Sequence, residues 1–321
     1  MATVSTTDEL QGRGRLLDRI GDKLLYGLTA AASLLAVATI ILIAWKIFRS
    51  AHLSFSQFGI SFLWGTTWDV NKAIFGALPA LFGTAVTCTI AMVIAAPLGL
   101  AIALFLSEIA PRSVQVVIGS LVETLAAVPS VVLGLWGILV LGPYLSHHLE
   151  PWLHDHLGFL PIFGPPSPTG TGMFTAALIL TIMIVPIIAS ICRELFRQVP
   201  NELEEGALAL GATRWEMVRG VILPATRTGI AAAIILGLGR ALGEAIAVTQ
   251  VIGGGTHITR NIFGPSDTIA SKIASSYQGA ASGLEAASLL YLAAILLVIG
   301  LVTNLVAQVI VRRFDPLRGA R

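Results

Sequence analysis

Six stretches of the chain are long and apolar enough to cross a bilayer, and that pattern restricts the fold more than any other feature. They run Leu24–Phe48, Ile74–Leu106, Val114–Leu141, Gly172–Cys192, about Thr226–Ile252 and Ala286–Val311. A spanning helix needs about 20 mostly apolar residues. Inside a bilayer no water serves the backbone N–H and C=O groups, so only helices and closed barrels cross it. These runs are continuous and lack the alternation over about ten residues that barrel strands require. Composition agrees: 55% of the 321 residues are hydrophobic and 12% charged, about half the charged share of a soluble domain. The expected fold class is all-α, a polytopic membrane protein with six transmembrane helices. A net charge of +2 gives no field for nucleic acid. Cys88 and Cys192 both lie in apolar runs, which excludes a disulfide framework and a CxxC metal pair.

Lys and Arg concentrate on one side of these spans. Arg13, Arg15, Arg19 and Lys23 precede the first, and Arg112 follows the second. Arg193, Arg197, Arg214, Arg219 and Arg227 surround the fourth connection, and Arg312, Arg313, Arg318 and Arg321 close the chain. The other side has Lys46, Arg49, Lys72, Arg260 and Lys272, and the long connection Gly142–Thr171 has neither Lys nor Arg. This asymmetry predicts both termini in the cytoplasm. Residues 1–23 are polar and are followed by an apolar run too long for a signal core, so they read as a cytoplasmic tail, as do residues 312–321.

Charge inside the spans is rare and therefore informative. The fifth run holds Arg240 and Glu244, which a continuous helix places on one face near mid-membrane. A charge there is a candidate functional group by default. The alternative is an ion pair that holds the bundle together, although Arg before Glu is the weaker order on a helix. A guanidinium offers a fork of donors matched to an oxyanion and keeps its charge. Gly237, Gly239 and Gly243 would leave that helix face thin. Glu123, in the third run, could bridge to Arg112 or a loop Arg, pair with Arg240, or line a solute path. Pro129 and Pro186 read as kinks, and Pro79 and Pro97 as a lead-in or kink in the long second run. His147, His148, His154 and His156 fall in a Pro-rich connection, expected to be a solvated irregular loop and not a metal site.

The connection between the fourth and fifth runs is helical in pattern. Asn201 after Pro200 starts a helix whose first turn is acidic, Leu203, Ala207, Leu208 and Leu210 recur at helical spacing, and Gly211 ends it. An interfacial amphipathic helix would look similar. The spacing adds more: Glu205-Gly-Ala-Leu-Ala-Leu-Gly211, nine residues, then Val221-Ile-Leu-Pro224. This resembles the EAA loop of ABC importer permeases, with Gly206 in place of the first Ala and Val221 in place of Ile. The resemblance implies that the helix is a coupling helix docking on a separate ATPase subunit through Glu204, Glu205, Gly206, Ala207, Gly211, Leu223 and Pro224. No GxxxxGK[ST] loop occurs, and Gly253-Gly-Gly255 is followed by Thr-His, so ATP and Mg are expected on that partner and no cofactor on this chain.

Further blocks extend the likeness over nearly the whole chain: Pro97–Glu108, Val122–Val132, Gly134–Gly137, Ile182–Ser190 and Gly237–Val248. They resemble the permeases of phosphate-specific (Pst) importers, the PstC type more than the PstA type. The resemblance implies a MetI-like five-helix core over residues 74–311, including the coupling loop 193–224, with a peripheral first helix over 24–48. The charges inside the spans, Arg240, Glu244 and Glu123, are the residues expected on the substrate pathway. The implied partners are a PstA-like second permease, two PstB-like ATPase subunits and a PstS-like periplasmic phosphate-binding protein, in a bacterial inner membrane. A permease for sulfate or molybdate is the alternative, since a guanidinium would serve those anions too.

Overall fold

In the computed structural model the backbone is described for residues 5–314 and the side chains for residues 21–310. Among these, all regular structure is helical, and six helices are long and apolar enough to span a membrane. The chain divides into two compact units, residues 1–50 and 51–321. The first is helical where described, as part of α1 (Ser5–Phe58), and exposes large apolar side chains such as Leu34, Ile40 and Trp45.

The second unit continues with α2 (Leu78–Ile109), α3 (Arg112–Ala126), α4 (Ser130–Leu157), α5 (Met173–Arg197) and α6 (Asn201–Ala209). Then come α7 (Arg214–Gly243), α8 (Ile246–Val251), α9 (Ile269–Ser276) and α10 (Gly283–Phe314). Helix α5 is the centre. Its Ile179, Leu180, Ile184, Ile188 and Cys192 share one core with Ala91, Ala95 and Ala103 of α2 and Ala233 and Ala241 of α7. Small residues permit this closeness: a Cβ on Gly99 would come within 2.9 Å of Ile188, and one on Gly237 within 2.8 Å of Ile184. Packing of this kind holds helices together where lipid removes the hydrophobic drive. A second cluster joins Phe62, Phe75 and Ala80 to Leu289 and Leu292 of α10, with Phe62 stacked on Tyr291 at 4.5 Å.

The third span is not where the apolar run placed it. Val114–Leu141 is split between α3 and α4, with Pro129 (φ −59°, ψ 135°) as the extended residue before α4. Proline removes an N–H and disfavours helix at the preceding residue, so Pro129 is a boundary and not a kink. Helix α4 then continues to Leu157 through wider turns at 137–141 and 145–149. Residues 142–157 are consequently helical, and not an irregular loop. Three of the histidines bond to carbonyls one turn back: His147 to Pro143 at 2.6 Å, His148 to Tyr144 at 3.1 Å and His156 to Trp152 at 2.8 Å. No group of three or more potential metal ligands occurs among the described residues.

Prolines behave differently elsewhere. Pro79 sits in the first turn of α2, where its missing N–H is harmless, while Pro97 and Pro186 stay inside their helices. Helix α7 begins at Arg214, before Pro224 and not after it. A capping box between Thr213 and Glu216 starts the helix, and a widened turn at 218–222 carries it past the proline. Of the two predicted tails, α1 already begins at Ser5 and α10 reaches Phe314, while residues 1–4 and 315–321 lie outside the described residues.

Candidate functional site

The fifth apolar run, expected to be one helix, breaks at its charge pair. Helix α7 ends at Gly243, Glu244 is extended (φ −74°, ψ 114°), and α8 starts two residues later. Arg240 Nη2 lies 3.0 Å from Glu244 Oε2, so the predicted pair forms, but across a helix end. Glu244 Oε1 accepts the Ala247 N–H at 3.1 Å. The weak Arg-before-Glu order is thereby explained. Arg240 occupies the last turn of α7, where free carbonyls favour a cation, and Glu244 satisfies an unpaired N–H of α8. Gly243 was the only local sign of the break.

The two partners are unequally covered. Glu244 is 4% exposed and Arg240 is 47% exposed. Leu236, Gly239, Arg240 and Gly243 form one uncovered strip of α7, and a Cβ on Gly239 or Gly243 would touch nothing within 4 Å. Gly237, by contrast, packs on α5, so the three glycines do not form one thin face. Helix α8 presses on α4 so closely that a Cβ on Gly134 would lie 2.9 Å from Ala247 Cα and Gln250 Oε1. That Gln250 oxygen is buried and lacks a hydrogen-bond partner among the described residues. Periodicity gave no reason to single it out.

Glu123 is not inside a span. It sits on α3, is largely exposed, and bonds to Arg193 Nη2 at 2.7 Å. Of the readings open to it, the bridge to an Arg of the loop region is the one formed, and Arg240 is paired elsewhere. Arg193 reaches it because α3 carries Gly119, where any Cβ would collide with the Arg193 guanidinium.

The loop between α5 and α7 has the predicted helix. Gly211 (φ +87°) follows α6 in a left-handed conformation, with Gly211 N–H bonded to Leu208 O at 3.0 Å and Ala212 N–H to Ala207 O at 3.1 Å. That double bond pattern is the Schellman stop, which favours a glycine. Ala207, Val221 and Leu223 pack against the core, whereas Leu210 is 91% exposed and Leu203, Leu208 and Trp215 are also exposed. Gly206 faces open space, and Pro224 lies in the first turn of the helix that resumes at Leu223. Burial, and then repulsion from Glu108, push the Glu204 carboxyl above its usual range. On the opposite connection Asp267 is buried and its pKa is raised by burial, partly offset by Lys272, whose Nζ lies 3.3 Å away and 5.4 Å from the Trp68 ring centroid.

Residues 95–316 match the family described as "binding-protein-dependent transport system inner membrane component". The phosphate transport system permease protein PstC of Pasteurella multocida is 42% identical over 84% of each chain. That of Mesorhizobium japonicum is 40% identical over 93% of this chain and 92% of its own. A bacterial alginate ABC transporter chain superposes with a TM-score of 0.60 at 20% identity, covering 92% of this chain and 97% of its own, which supports the fold. A chain of the MetNI methionine ABC transporter reaches a TM-score of 0.50 at 20% identity over 75% of this chain and 94% of its own. A multi-pass helical chain with a broken fifth span and a capped helix between its fourth and fifth spans, it belongs to the family of binding-protein-dependent transport system inner membrane components, among the PstC permeases.

Proposed function

We infer that this chain is the PstC-type permease subunit of an ATP-driven importer that moves inorganic phosphate into the bacterial cytoplasm. One observation carries the pathway: the exposed Arg240 lies on an uncovered strip of α7 beside a helix break, backed by a buried Glu244. Broken helices near a site let helix ends and a charged side chain meet an ion together. A second, PstA-like permease seated on that strip would close a path with Arg240 facing it. The guanidinium fork can hold two phosphate oxygens, and Glu244 keeps it paired when the site is empty. Binding there must be weak enough for release. Glu123, tied to Arg193 on α3, serves as scaffold in this reading and not as a path residue.

Force comes from outside the chain. The exposed Leu203, Leu208, Leu210 and Trp215 form an apolar patch around the Gly211 turn, suited to a cleft on one of two PstB-like ATPase subunits that carry ATP and Mg. Glu204, Glu205, Arg214 and Arg219 supply rim charge. Lys and Arg asymmetry supports a cytoplasmic position for this loop and both termini, which leaves the opposite face for a PstS-like binding protein. The exposed apolar side chains of α1 support a peripheral, lipid-facing first helix. The chain itself carries no catalytic role.

The relatives named as phosphate permeases favour phosphate over sulfate or molybdate. The deciding measurement is labelled phosphate and sulfate uptake in cells whose import depends on this gene. Phosphate uptake untouched by excess sulfate supports the assignment. Sulfate uptake, or ATP hydrolysis by the purified chain alone, overturns it.

A further inference from the structure

A cavity of about 460 Å³ opens between α3 and the C-terminal end of α5, remote in sequence from the Arg240 break. Arg112, Gln115, Ser120, Glu123, Arg193 and Arg197 line it. Glu123 is bonded to Arg193, so one carboxylate faces three guanidiniums. Neither Arg112 nor Arg197 makes an ion pair among the described residues, and Arg193 Nε is buried without a hydrogen-bond partner there. Gln115 is held by the Ala110 carbonyl at 2.9 Å, and the Ser120 hydroxyl completes the polar lining. Two unmatched cations and an unused N–H donor around one concavity describe a receptor for a dianion.

We propose that this cavity binds a phosphate-type oxyanion, with Arg112 and Arg197 as its principal ligands and Arg193 shared with Glu123. Guanidiniums are the side chains best matched to phosphate oxygens, through paired donors and a permanent charge. The volume falls within the range of small-molecule sites, so it accepts a hydrated inorganic phosphate or the headgroup of an anionic phospholipid. Helix α3 also exposes Val116, Val117 and Leu121, an apolar edge that would set the cavity at headgroup depth. Basic pockets at the membrane surface beside spanning helices attract such headgroups, and one wall here is the C-terminal end of the span α5.

The test places a reporter inside the cavity. Ser120→Cys in the full-length protein is labelled with N-ethylmaleimide, the native Cys88 and Cys192 being buried. One arm uses phosphatidylcholine nanodiscs with and without inorganic phosphate, against chloride at matched ionic strength. The other uses phosphate-free buffer and compares phosphatidylcholine with phosphatidylglycerol nanodiscs. Near-saturating ligand should slow labelling about fivefold in at least one arm, and the arm identifies the source. Adding Arg112→Gln and Arg197→Gln should abolish the slowing while helicity and melting temperature hold. Unchanged rates in both arms overturn the proposal. So does slowing that survives undiminished in the Gln variant, because protection would then arise elsewhere.

Discussion

Replacing Arg240 by Ala strips Glu244 of a guanidinium 3.0 Å away and leaves a carboxylate that is 4% exposed with the Ala247 N–H as its remaining partner. Breaking a fully buried pair from one side costs about 3–5 kcal/mol. Arg240 is 47% exposed, so water already screens part of this attraction. Discounting toward the worth of exposed pairs gives about 1–3 kcal/mol of lost stability. Glu244→Ala removes the bond to the α8 N–H, about 1 kcal/mol by analogy with a lost cap, while the exposed guanidinium is rehydrated. In the double variant no charge is left buried and alone, so stability should return to within about 1 kcal/mol of the parent. Uptake should not follow it. If Arg240 touches phosphate, Arg240→Ala and the double variant both fail to transport, and Arg240→Lys keeps a reduced rate because charge survives without the fork. The assay pairs labelled phosphate uptake with thermal unfolding of the detergent-solubilised protein, at matched membrane levels. Recovery of uptake in Arg240→Ala/Glu244→Ala would refute the pathway role and leave the pair as scaffolding.

Gly211→Arg should leave the protein inserted, because the new side chain meets open space and left-handed strain costs only about 1–2 kcal/mol. Uptake should be lost through failed docking, and normal uptake with normal ATPase co-purification would remove the coupling role. Glu204→Gln should raise the melting temperature at pH 8, since burial and Glu108 disfavour the ionised carboxyl in the folded state. Its folded pKa is raised, so that gain should shrink as pH falls through the raised value and vanish below the ordinary one; a pH-independent gain would sink the account. Lys272→Met removes the cation beside Asp267, at a cost of about 3 kcal/mol, because both side chains are largely covered. The deficit should be larger at pH 8 than at pH 5, where Asp267 is closer to protonation, and equal deficits at both would contradict it.

The presence and number of spans were readable because the requirement is local: about 20 apolar residues in a row. Six runs were expected, and among the described residues six helices are long and apolar enough to cross. The Gly211 stop was equally legible, since a left-handed residue after an amphipathic helix calls for glycine whatever surrounds it. Spacing pointed to the Arg240–Glu244 pair, although the contact is made across a helix end and not along one helix face.

Boundaries were less legible. Val114–Leu141 reads as one apolar run, yet Pro129 divides it, and the spanning helix borrows residues from the segment expected as loop. Proline inside α2 and α5 is tolerated because neighbouring helices hold those segments, whereas α3 ends before Pro129 on an exposed stretch. Local sequence does not distinguish the cases.

Sequence by itself determined the class of fold, the number of spans, the helix stopped at Gly211 between the fourth and fifth spans and the candidate charges, all of which depend on residue type and short spacing. Only the tertiary structure decided that the fifth span breaks at Glu244, that Glu123 belongs to Arg193, and that Arg112, Arg193 and Arg197 enclose a cavity. Those outcomes depend on how α3 and α4 pack against α5 and α8, through contacts between residues far apart in the chain that no local pattern records.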